Sequence, residues 1–375
     1  MPPNTPSQQT PPSAIILAAG MSSRCGRFKP LLPLGDETIL ERVIRIYRNA
    51  GIADIVVVMG YRSEDIIPLI ERMHARAVLN LHYDRGMFSS VMTGIASLSD
   101  TCPAFFIHPV DIPMVRPQTM ICLQEAFAHG GDGIYYPVFT GERGHPPLIS
   151  GNYRKGLVAW NGSDGLRGFL RQYEPDARDV SVADRFVIQD IDSSEDYHRV
   201  LESLARYDIP SEDECRMLMT GVPENIRRHC DAVTAEAEHL GKSLNAAGCC
   251  LDISLIVAAA RLHDIARMCP DHATVGAQIL RCHGFERVAD IVALHMNFSA
   301  AEDAPITEAE VVYIADKQVQ ADRVTGVEAR FESKLHRHAA DPDIRRYILE
   351  RRDHARKSLQ RIETRIADFL RSRQG

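Results

Sequence analysis

The sequence lacks the marks of several protein classes. Its nine cysteines are an odd number, and none forms a C-x-x-C pair, so we expect reduced thiols in a cytoplasm rather than a disulfide framework. No apolar run approaches the ~20 residues that a membrane-spanning helix needs, so we expect no membrane association. The opening M-P-P-N-T-P-S-Q-Q-T-P-P lacks the basic start and apolar centre of a signal peptide. We expect residues 1–12 to form a disordered tail and the protein to be cytoplasmic.

The chain also lacks an excess of positive charge, because its formal net charge is -7. Binding to nucleic acid normally needs a basic face, so we expect no nucleic-acid partner. Hydrophobic residues make up 45% and charged residues 25% of the chain, the balance of an ordinary globular protein. At 375 residues the chain exceeds what one hydrophobic core usually supports, which predicts two domains.

Apolar runs alternate with helical patterns in the first half of the chain. The alternation predicts an α/β doubly wound fold, an open parallel sheet with helices on both faces. Ligands of such folds gather at the carboxyl ends of the strands. The predicted strands are 14–19, 54–60, 77–81 and 104–110, and the predicted helices are 38–50, 63–74, 89–98 and one beginning at Pro117.

The pattern changes near residues 206–213, R-Y-D-I-P-S-E-D, and almost every later segment has helical period. From Ile226 onward, apolar positions step by four and three. We therefore predict an α/β domain over 13–205, a linker over 206–222 and an all-α domain over 223–375.

The segment Ser13–Leu34, S-A-I-I-L-A-A-G-M-S-S-R-C-G-R-F-K-P-L-L-P-L, is typical of a buried strand followed by an anion-binding loop. Glycines let backbone N–H groups close on an anion, and Arg24 and Lys29 supply positive charge. An ordinary turn rich in glycine and serine is the alternative interpretation.

This loop resembles the signature L-A-(A/G)-G-x-S-x-R-M-G-x-x-K of nucleotidyltransferases related to the molybdenum-cofactor guanylyl- and cytidylyltransferases. Cys25 stands where that family usually has Met. The resemblance implies a fold like that of the nucleotide-diphospho-sugar (GT-A-like) transferases. It also implies that Arg24 and Lys29 hold the β- and γ-phosphates of a nucleotide. The residues it places against the nucleotide are Ala18, Ala19, Gly20, Ser22 and Ser23.

Carboxylates are needed to hold the Mg²⁺ that neutralises charge during nucleotidyl transfer. Asp111 ends an apolar strand in H-P-V-D-I-P, which resembles the family's G-D-x-P although Val110 replaces the glycine. Asp190 and Asp192, in Q-D-I-D-S-S-E-D-Y, resemble the family's D-I-D-T-P-E-D, and the choice between them stays open. In the alternative interpretation these carboxylates only cap the helices that follow them.

Further segments match the family around the substrates. Asn80, Gly86, Ser89 and Ser90 lie in N-L-H-Y-D-R-G-M-F-S-S, which in the family approaches the nucleotide and the acceptor. The Ala-Ala-Gly loop, G-E-R-G-H-P-P-L-I and G-L-R resemble the cytidylyltransferase branch. The resemblance thereby implies CTP and molybdopterin as substrates and a molybdenum hydroxylase as recipient of the product. The candidates for contact with the acceptor are His145, which could equally brace a loop, and Arg167.

In the second half, His229, the doublet His263-Asp264 and Asp316 are candidates to converge on one divalent cation. Imidazole and carboxylate ligands suit Mn, Fe or Ni. The spacing resembles the H…HD…D pattern of the HD phosphohydrolase superfamily, which activates water against phosphate esters. A degenerate HD fold kept for regulation or dimerisation is the alternative.

His272 and His295 match the extra ligands of the two-metal members, particularly the bacterial di-iron dinucleoside tetraphosphate hydrolases. The resemblance thus implies one or two divalent transition metals such as Mn or Fe, although each histidine alone could lie on a helix surface. Lys317 and Arg323 are predicted to follow Asp316 on its helix, either holding substrate phosphate or facing solvent.

The sequence therefore predicts a bifunctional enzyme, a Mg²⁺-dependent cytidylyltransferase acting on molybdopterin and fused to a metal-dependent phosphohydrolase. One alternative uses a sugar phosphate or phosphocholine as the acceptor. Another is a non-catalytic protein that delivers the cofactor, with the HD unit as a nucleotide sensor.

Overall fold

The computed structural model describes residues 11–21, 27–299, 301, 303–337 and 340–372. The chain divides into two compact units between Tyr207 and Asp208, and each unit is described by itself. Of the predicted tail, only Pro11 and Pro12 belong to the described residues. The division falls inside the predicted linker 206–222, and the domain bounds given above stay a prediction.

The first unit contains a mixed sheet with the strand order β10-β7-β9-β6-β1-β4-β5, in which β8 also pairs with β7; a short hairpin of β2 and β3 lies outside it. The strands are β1 Ser13–Ala18, β2 Pro33–Leu34, β3 Glu37–Thr38, β4 Ile55–Met59, β5 Arg76–Leu79, β6 Ala104–Pro109, β7 Ile134–Phe139, β8 Glu142–Arg143, β9 Leu148–Ser150 and β10 Ala177–Ser181.

The centre of the sheet is parallel, as predicted. Strands β4 and β6 pair with β1 on its two sides, and β5 pairs with β4, all in parallel. Strands β1, β4 and β6 are buried along their whole length, which explains why they read as continuous apolar runs.

In the other half of the sheet, β8 and β9 depart from the predicted parallel arrangement, whereas β10 pairs with β7 in parallel. Strand β9 pairs antiparallel with both β6 and β7. The link from β7 to β9 is too short for the crossover of about a dozen residues that a parallel pair requires, so the chain must turn back. The predicted α/β class is confirmed, and its sheet is mixed.

Helices of the first unit cover the sheet and follow its strands. The first of them begins at a capping box, in which Thr38 and Glu41 bond each other's backbone N–H groups. The helices are α1 Ile39–Asn49, α2 Ser63–Arg72, α3 Met87–Ala96, α4 Pro117–Gly130, α5 Arg154–Ala159, α6 Gly165–Gln172 and α7 Ser194–Leu204.

The second unit is helical around one apolar core, apart from a small antiparallel hairpin that the sequence did not predict. Part of the predicted linker is the helix α8, whose Cys215 is buried in this core. No helix among the described residues is long and apolar enough to cross a membrane. The elements are α8 Glu212–Leu218, α9 Glu224–Ala246, α10 Ile253–Leu262, α11 His272–Cys282, α12 Glu286–Leu294, α13 Glu308–Gln318, β11 Val319–Gln320, β12 Arg323–Val324, α14 Val327–Arg337 and α15 Pro342–Ser372.

Candidate functional sites

A cavity of about 250 Å³ lies at the carboxyl ends of β1 and β6 in the first unit. The Ala19 carbonyl accepts a hydrogen bond from the Tyr61 N–H, and the Val110 N–H donates to the Leu17 carbonyl. These bonds join the chain leaving β1 to the ends of β4 and β6. Ser22, Ser23 and Arg24 lie outside the described residues. The predicted site residues that line the cavity are Ala18, Ala19, Gly20, Lys29, Ser90 and Asp111.

Lys29 links two of the predicted carboxylates at this cavity. Its Nζ lies 3.2 Å from Asp111 Oδ2 and 3.4 Å from Asp192 Oδ1. The lysine side chain is 10% exposed, whereas those of Asp111 and Asp192 are 27% and 51% exposed. A nearly buried ammonium therefore faces two carboxylates that solvent can still reach.

Backbone contacts explain why residues so distant in sequence meet here. The Ile191 N–H donates to the Asp111 carbonyl at 2.9 Å, which brings the segment carrying Asp190 and Asp192 against the end of β6. Burial raises the pKa of Asp190, and the nearby negative charges of Asp192 and Asp111 raise it further. The three carboxylates therefore form one electrostatic cluster.

None of these carboxylates caps a helix through its side chain. Ser193 is the N-cap of α7, where it forms a capping box with Asp196. Arg116 is the N-cap residue of α4, and its side chain forms no capping hydrogen bond with that helix. The interpretation of Asp111, Asp190 and Asp192 as helix caps is therefore wrong.

A buried histidine orients the turn that carries Asp111. His108 Nε2 lies 2.9 Å from the Ile112 carbonyl oxygen, and His108 Nδ1 lies 2.8 Å from the Tyr47 hydroxyl. A carbonyl can only accept, so Nε2 carries the proton and Nδ1 accepts from Tyr47. Arg42 Nε donates to the Pro113 carbonyl at 3.0 Å. Neither support was predicted from the sequence, because the spacing of a histidine or an arginine does not indicate that its side chain holds a turn.

Asn80 braces the start of α3. Its Nδ2 donates to Ser89 Oγ and Ser90 Oγ, each at 2.9 Å, and its Oδ1 accepts from the His82 N–H. The side chain is buried, so its amide is already engaged by protein atoms. The predicted segment is thus assembled, with Ser90 reaching the cavity and Asn80 holding it there.

A second cavity of about 900 Å³ adjoins the first, since Gly86 and Met87 line both. It brings together His145 and Arg167, the two residues predicted for the acceptor. It also contains residues that the sequence analysis missed, three arginines and two aromatic rings. These are Arg85, Arg143, Arg171, Phe88 and Tyr136.

His145 is held in this cavity by a close backbone contact. The His145 N–H donates to the Val187 carbonyl at 2.7 Å. The preceding residue is glycine by necessity, because a Cβ on Gly144 would lie 2.4 Å from that same Val187 oxygen. Burial lowers the pKa of His145, and the charges of Asp111 and Asp190 partly oppose this effect.

In the second unit, the predicted ligands form two groups that share one carboxylate. His229, His263 and Asp264 form the first group, and Asp264, His272 and His295 form the second. Within each group the potential ligand atoms lie within 4.8 Å of one another.

In the first group, the two imidazoles face two carboxylates. Asp264 Oδ2 lies 4.0 Å from His229 Nε2 and 3.6 Å from His263 Nε2. Asp316 Oδ1 lies 3.2 Å and 3.8 Å from the same two nitrogens. The other oxygen of Asp264 faces the second group, so this carboxylate is placed to bridge two cations.

The imidazole rings present lone pairs toward these carboxylates. The Nδ1 atoms of His229 and His263 lie 2.7 Å from the carbonyls of Ala321 and Ala260, and must donate to them. Their Nε2 atoms are therefore unprotonated in the neutral rings, the tautomer found in metal-bound histidines. His263 Nε2 and Asp264 Oδ1 are buried without a hydrogen-bond partner among the described residues. Buried acceptors that face one another fit a cation.

The electrostatics of the first group favour ionised carboxylates and a neutral His263 ring. Burial lowers the pKa of His263 to about 4. Although burial opposes it, the combined effect of the surrounding histidines and Arg267 lowers the pKa of Asp264 well below its usual range. These are the protonation states that metal binding requires.

Two cations hold Asp316: Lys317, for which the sequence left two alternatives open, and Arg330, which the sequence did not indicate. Lys317 is 2% exposed, and its Nζ donates to Asp316 Oδ2 and to the His295 carbonyl. The alternative in which Lys317 faces solvent is therefore wrong. Arg330, which was missed, donates to Asp316 Oδ1 at 2.9 Å. Arg323 lies in β12, beyond the end of α13, so its predicted place on the helix of Asp316 is also wrong.

Comparisons with known proteins identify a known domain in each unit. Residues 14–177 match the MobA-like NTP transferase domain, and residues 226–318 match the HD domain. A nicotine blue oxidoreductase from Paenarthrobacter nicotinovorans is 27% identical over 50% of this chain and 96% of its own length. The molybdenum cofactor cytidylyltransferase of Escherichia coli K12 is 28% identical over 49% of this chain and 92% of its own length.

Among solved structures, that of Rv0371c from Mycobacterium tuberculosis H37Rv is 24% identical, with a TM-score of 0.46. It covers 52% of this chain and 100% of its own. From the domain matches and the relatives together, this chain joins a nucleotidyltransferase unit of the MobA-like NTP transferase family to an HD domain.

Proposed function

We propose that the first unit is a Mg²⁺-dependent cytidylyltransferase that transfers CMP from CTP to molybdopterin and releases pyrophosphate. The observation that carries this proposal is the position of Lys29 between Asp111 and Asp192 at the cavity behind β1. This arrangement supplies both a cation for the phosphates and carboxylates for a metal ion.

The carboxylate cluster fits Mg²⁺, because burial and then the negative charges of Asp192 and Asp111 raise the pKa of Asp190, and a bound cation relieves that repulsion. Asp111, with Asp190 or Asp192, would hold this ion, which when bound neutralises charge on the α-phosphate and the departing pyrophosphate. A phosphate oxygen of the acceptor attacks the α-phosphorus of CTP, and the bond to pyrophosphate breaks. Lys29, together with Arg24, stabilises the negative charge of the leaving group.

The choice of substrates is supported by two features. The Ala18-Ala19-Gly20 form of the loop resembles the branch that uses CTP. The larger cavity, with His145, Arg167 and further arginines beside aromatic rings, suits a ring system that carries a phosphate. Molybdopterin has this chemistry, and we propose a molybdenum hydroxylase as the recipient of the product.

The test is pyrophosphate release from each nucleoside triphosphate, with and without molybdopterin. We expect release only with CTP, Mg²⁺ and molybdopterin together. Asp111→Asn should lower the rate at least ~100-fold, since it removes the charge that holds the metal ion. Asp100→Asn is the matched control, because Asp100 is a fully exposed carboxylate before the other end of β6 and should leave the rate unchanged.

Other results would replace the proposal. A preference for GTP would overturn the assignment to the cytidylyltransferase branch. Release of pyrophosphate only with a sugar phosphate or phosphocholine would overturn molybdopterin as the acceptor. If Asp111→Asn still delivered molybdenum cofactor to a recipient enzyme, the unit would be a carrier. The oxidoreductase relative is as similar as the cytidylyltransferase, so identity does not choose between their chemistries. The cluster of Lys29 with three carboxylates favours nucleotidyl transfer over oxidoreductase chemistry.

We further propose that the second unit is a phosphohydrolase using Mn or Fe. His229, His263, Asp264 and Asp316 would hold one ion, which when bound supplies an activated water for attack on a phosphate ester. His272 and His295 with Asp264 would hold a second ion. Imidazole-rich ligand sets favour such transition metals over Mg²⁺.

The full chain, loaded with Mn²⁺, should be assayed against dinucleoside tetraphosphates, cyclic nucleotides and phosphorylated by-products of the transfer reaction. We expect hydrolysis that His263→Ala abolishes and Asp111→Asn leaves intact, which assigns the activity to the second unit. An absence of hydrolysis across this panel would favour an HD unit kept for regulation or nucleotide sensing.

A further inference from the structure

The second ligand group, Asp264, His272 and His295, has the dimensions of an occupied cation site. His272 Nε2 lies 3.2 Å from His295 Nε2 and 3.3 Å from Asp264 Oδ1. His295 Nε2 lies 3.6 Å from Asp264 Oδ1. Ligand atoms held at ~2.0–2.2 Å around one tetrahedral ion are separated by about these distances.

Three acceptor atoms this close together require positive charge between them. His295 Nδ1 lies 2.6 Å from the Val292 carbonyl and donates to it, so His295 Nε2 presents a lone pair. Asp264 Oδ1 is buried and has no hydrogen-bond partner among the described residues. The group repels itself unless a cation is present.

Arg267 supplies that charge. Its Nη1 lies 3.1 Å from His272 Nε2 and 3.5 Å from Asp264 Oδ1. A guanidinium is always protonated, so Arg267 donates and His272 Nε2 accepts. The Arg267 side chain is 46% exposed, which leaves room for it to turn out into solvent.

The first site is covered by cations at one of its ligands, Asp316, whose Oδ1 accepts a hydrogen bond from Arg330 at 2.9 Å. Its nearby cations, Lys317 and Arg330, bond Asp316 and are anchored to the carbonyls of His295 and Val319. Among the described residues, no hydrogen bond or ion pair joins either of these cations to the His229 or His263 side chain. These cations therefore orient a ligand, whereas Arg267 lies against two ligand atoms of the other group.

We propose that Arg267 is the resident counter-charge of the second cation site and competes with a metal ion for it. The inference rests on the proposed metal centre of the second unit. The first site, of His229, His263, Asp264 and Asp316, fills first. The second fills only when the guanidinium withdraws, so the protein passes through a one-metal state.

The experiment is a Mn²⁺ titration of the metal-free full chain by calorimetry, with free Mn²⁺ followed by electron paramagnetic resonance. The wild type should bind one ion tightly and a second more weakly. Arg267→Gln should tighten the second ion about tenfold or more and leave the first within about twofold, since it removes a like charge a few ångströms from the second position.

Two further variants make the result decisive. Arg261→Gln removes the same charge from α10, where Arg261 pairs with Asp231 at 3.8 Å, and should change neither affinity more than about twofold. His272→Ala should abolish the second binding event and keep the first. The far-ultraviolet circular dichroism of each variant establishes that it folds.

The possible failures are distinguishable. If Arg267→Gln tightens neither ion, tightens both alike, or acts no more strongly than Arg261→Gln, the competition by Arg267 is refuted while the metal centre stands. If the wild type binds no Mn²⁺, the proposed metal centre itself fails and the competition falls with it.

Discussion

His108 should make the stability of the first unit depend on pH in a way that one substitution removes. The ring is fully buried and joins the Tyr47 hydroxyl to the Ile112 carbonyl, beside Asp111. Burial lowers the pKa of His108 to about 4, from an ordinary value of 6.5. The folded state therefore keeps the ring neutral at pH values where the unfolded chain protonates it.

The sign and the size follow from linkage. Because the folded pKa is the lower one, the unfolded state binds more protons, and stability is lost as pH falls from 6.5 toward 4. At pH 5 this residue lowers the free energy of unfolding by about 2 kcal/mol, and below pH 4 the loss levels off at ~3 kcal/mol. His108→Gln cannot titrate, and its side-chain amide can still donate toward the Ile112 carbonyl.

The assay is urea unfolding of the full chain at pH 7 and pH 5, followed by tryptophan fluorescence. Trp160 is the single tryptophan of the sequence and belongs to the first unit, so the signal reports that unit. His108→Gln should be less stable than the wild type at pH 7. Between pH 7 and pH 5, however, it should lose about 2 kcal/mol less than the wild type.

The quantity compared is the stability lost between pH 7 and pH 5, in the wild type and in His108→Gln. Because the two proteins share their other titrating groups, the contributions of those groups cancel to a first approximation. Tyr47→Phe, which leaves His108 Nδ1 without its donor, should keep a pH dependence because the imidazole remains. If the wild type and His108→Gln lose equal stability between pH 7 and pH 5, His108 is not a buried neutral ring. The account of how the Asp111 turn is held would then be wrong.

The remaining predictions probe both units. Lys29→Met should lower the rate of pyrophosphate release about 100-fold, because it removes the charge that stabilises the leaving group; an unchanged rate would exclude this role. Gly144→Ala should cost ~2–3 kcal/mol in the tryptophan-detected unfolding, since its Cβ meets the backbone of Val187. Gly20→Ala should stay near wild type, because a Cβ there meets no atom of the described residues within 4 Å. A Mn²⁺ concentration 100-fold above its dissociation constant should stabilise the second unit by about 2.7 kcal/mol in calorimetry, an effect that Asp264→Ala should abolish.

The parts of the fold that the sequence predicted are those encoded in local patterns. The continuous apolar runs of β1, β4 and β6 allow only buried strands, and the resemblance around Asp111 identified the end of β6. Strand β9 was not predicted, because three residues within a loop carry no period. Its antiparallel pairing follows from loop length and sheet geometry, which become visible only when β6 and β7 are placed.

The same limit applies to the sites. The histidines and aspartates that lie together in the second unit could be predicted as a group, because ligand types at family spacing leave a pattern in the chain. Arg267 and Arg330 were missed because an arginine reaches its partner through a long side chain, and its contacts leave no pattern. For Lys317 two alternatives stayed open for a related reason, since the sequence does not show the burial of this lysine against Asp316 and Tyr313.

The exposure of the ligands argues that the two units hold their metal ions in different ways. The side chains of Asp111 and Asp192 are 27% and 51% exposed, so an ion there keeps water and exchanges freely. Mg²⁺ dehydrates reluctantly and binds through few carboxylates plus substrate phosphates, which suits an ion that arrives with the nucleotide. Asp264 and Asp316 are 5% and 4% exposed and face imidazoles, so an ion there replaces its water with protein ligands. The ion proposed for the second unit would therefore belong to the folded protein, and that proposed for the first would belong to the substrate complex.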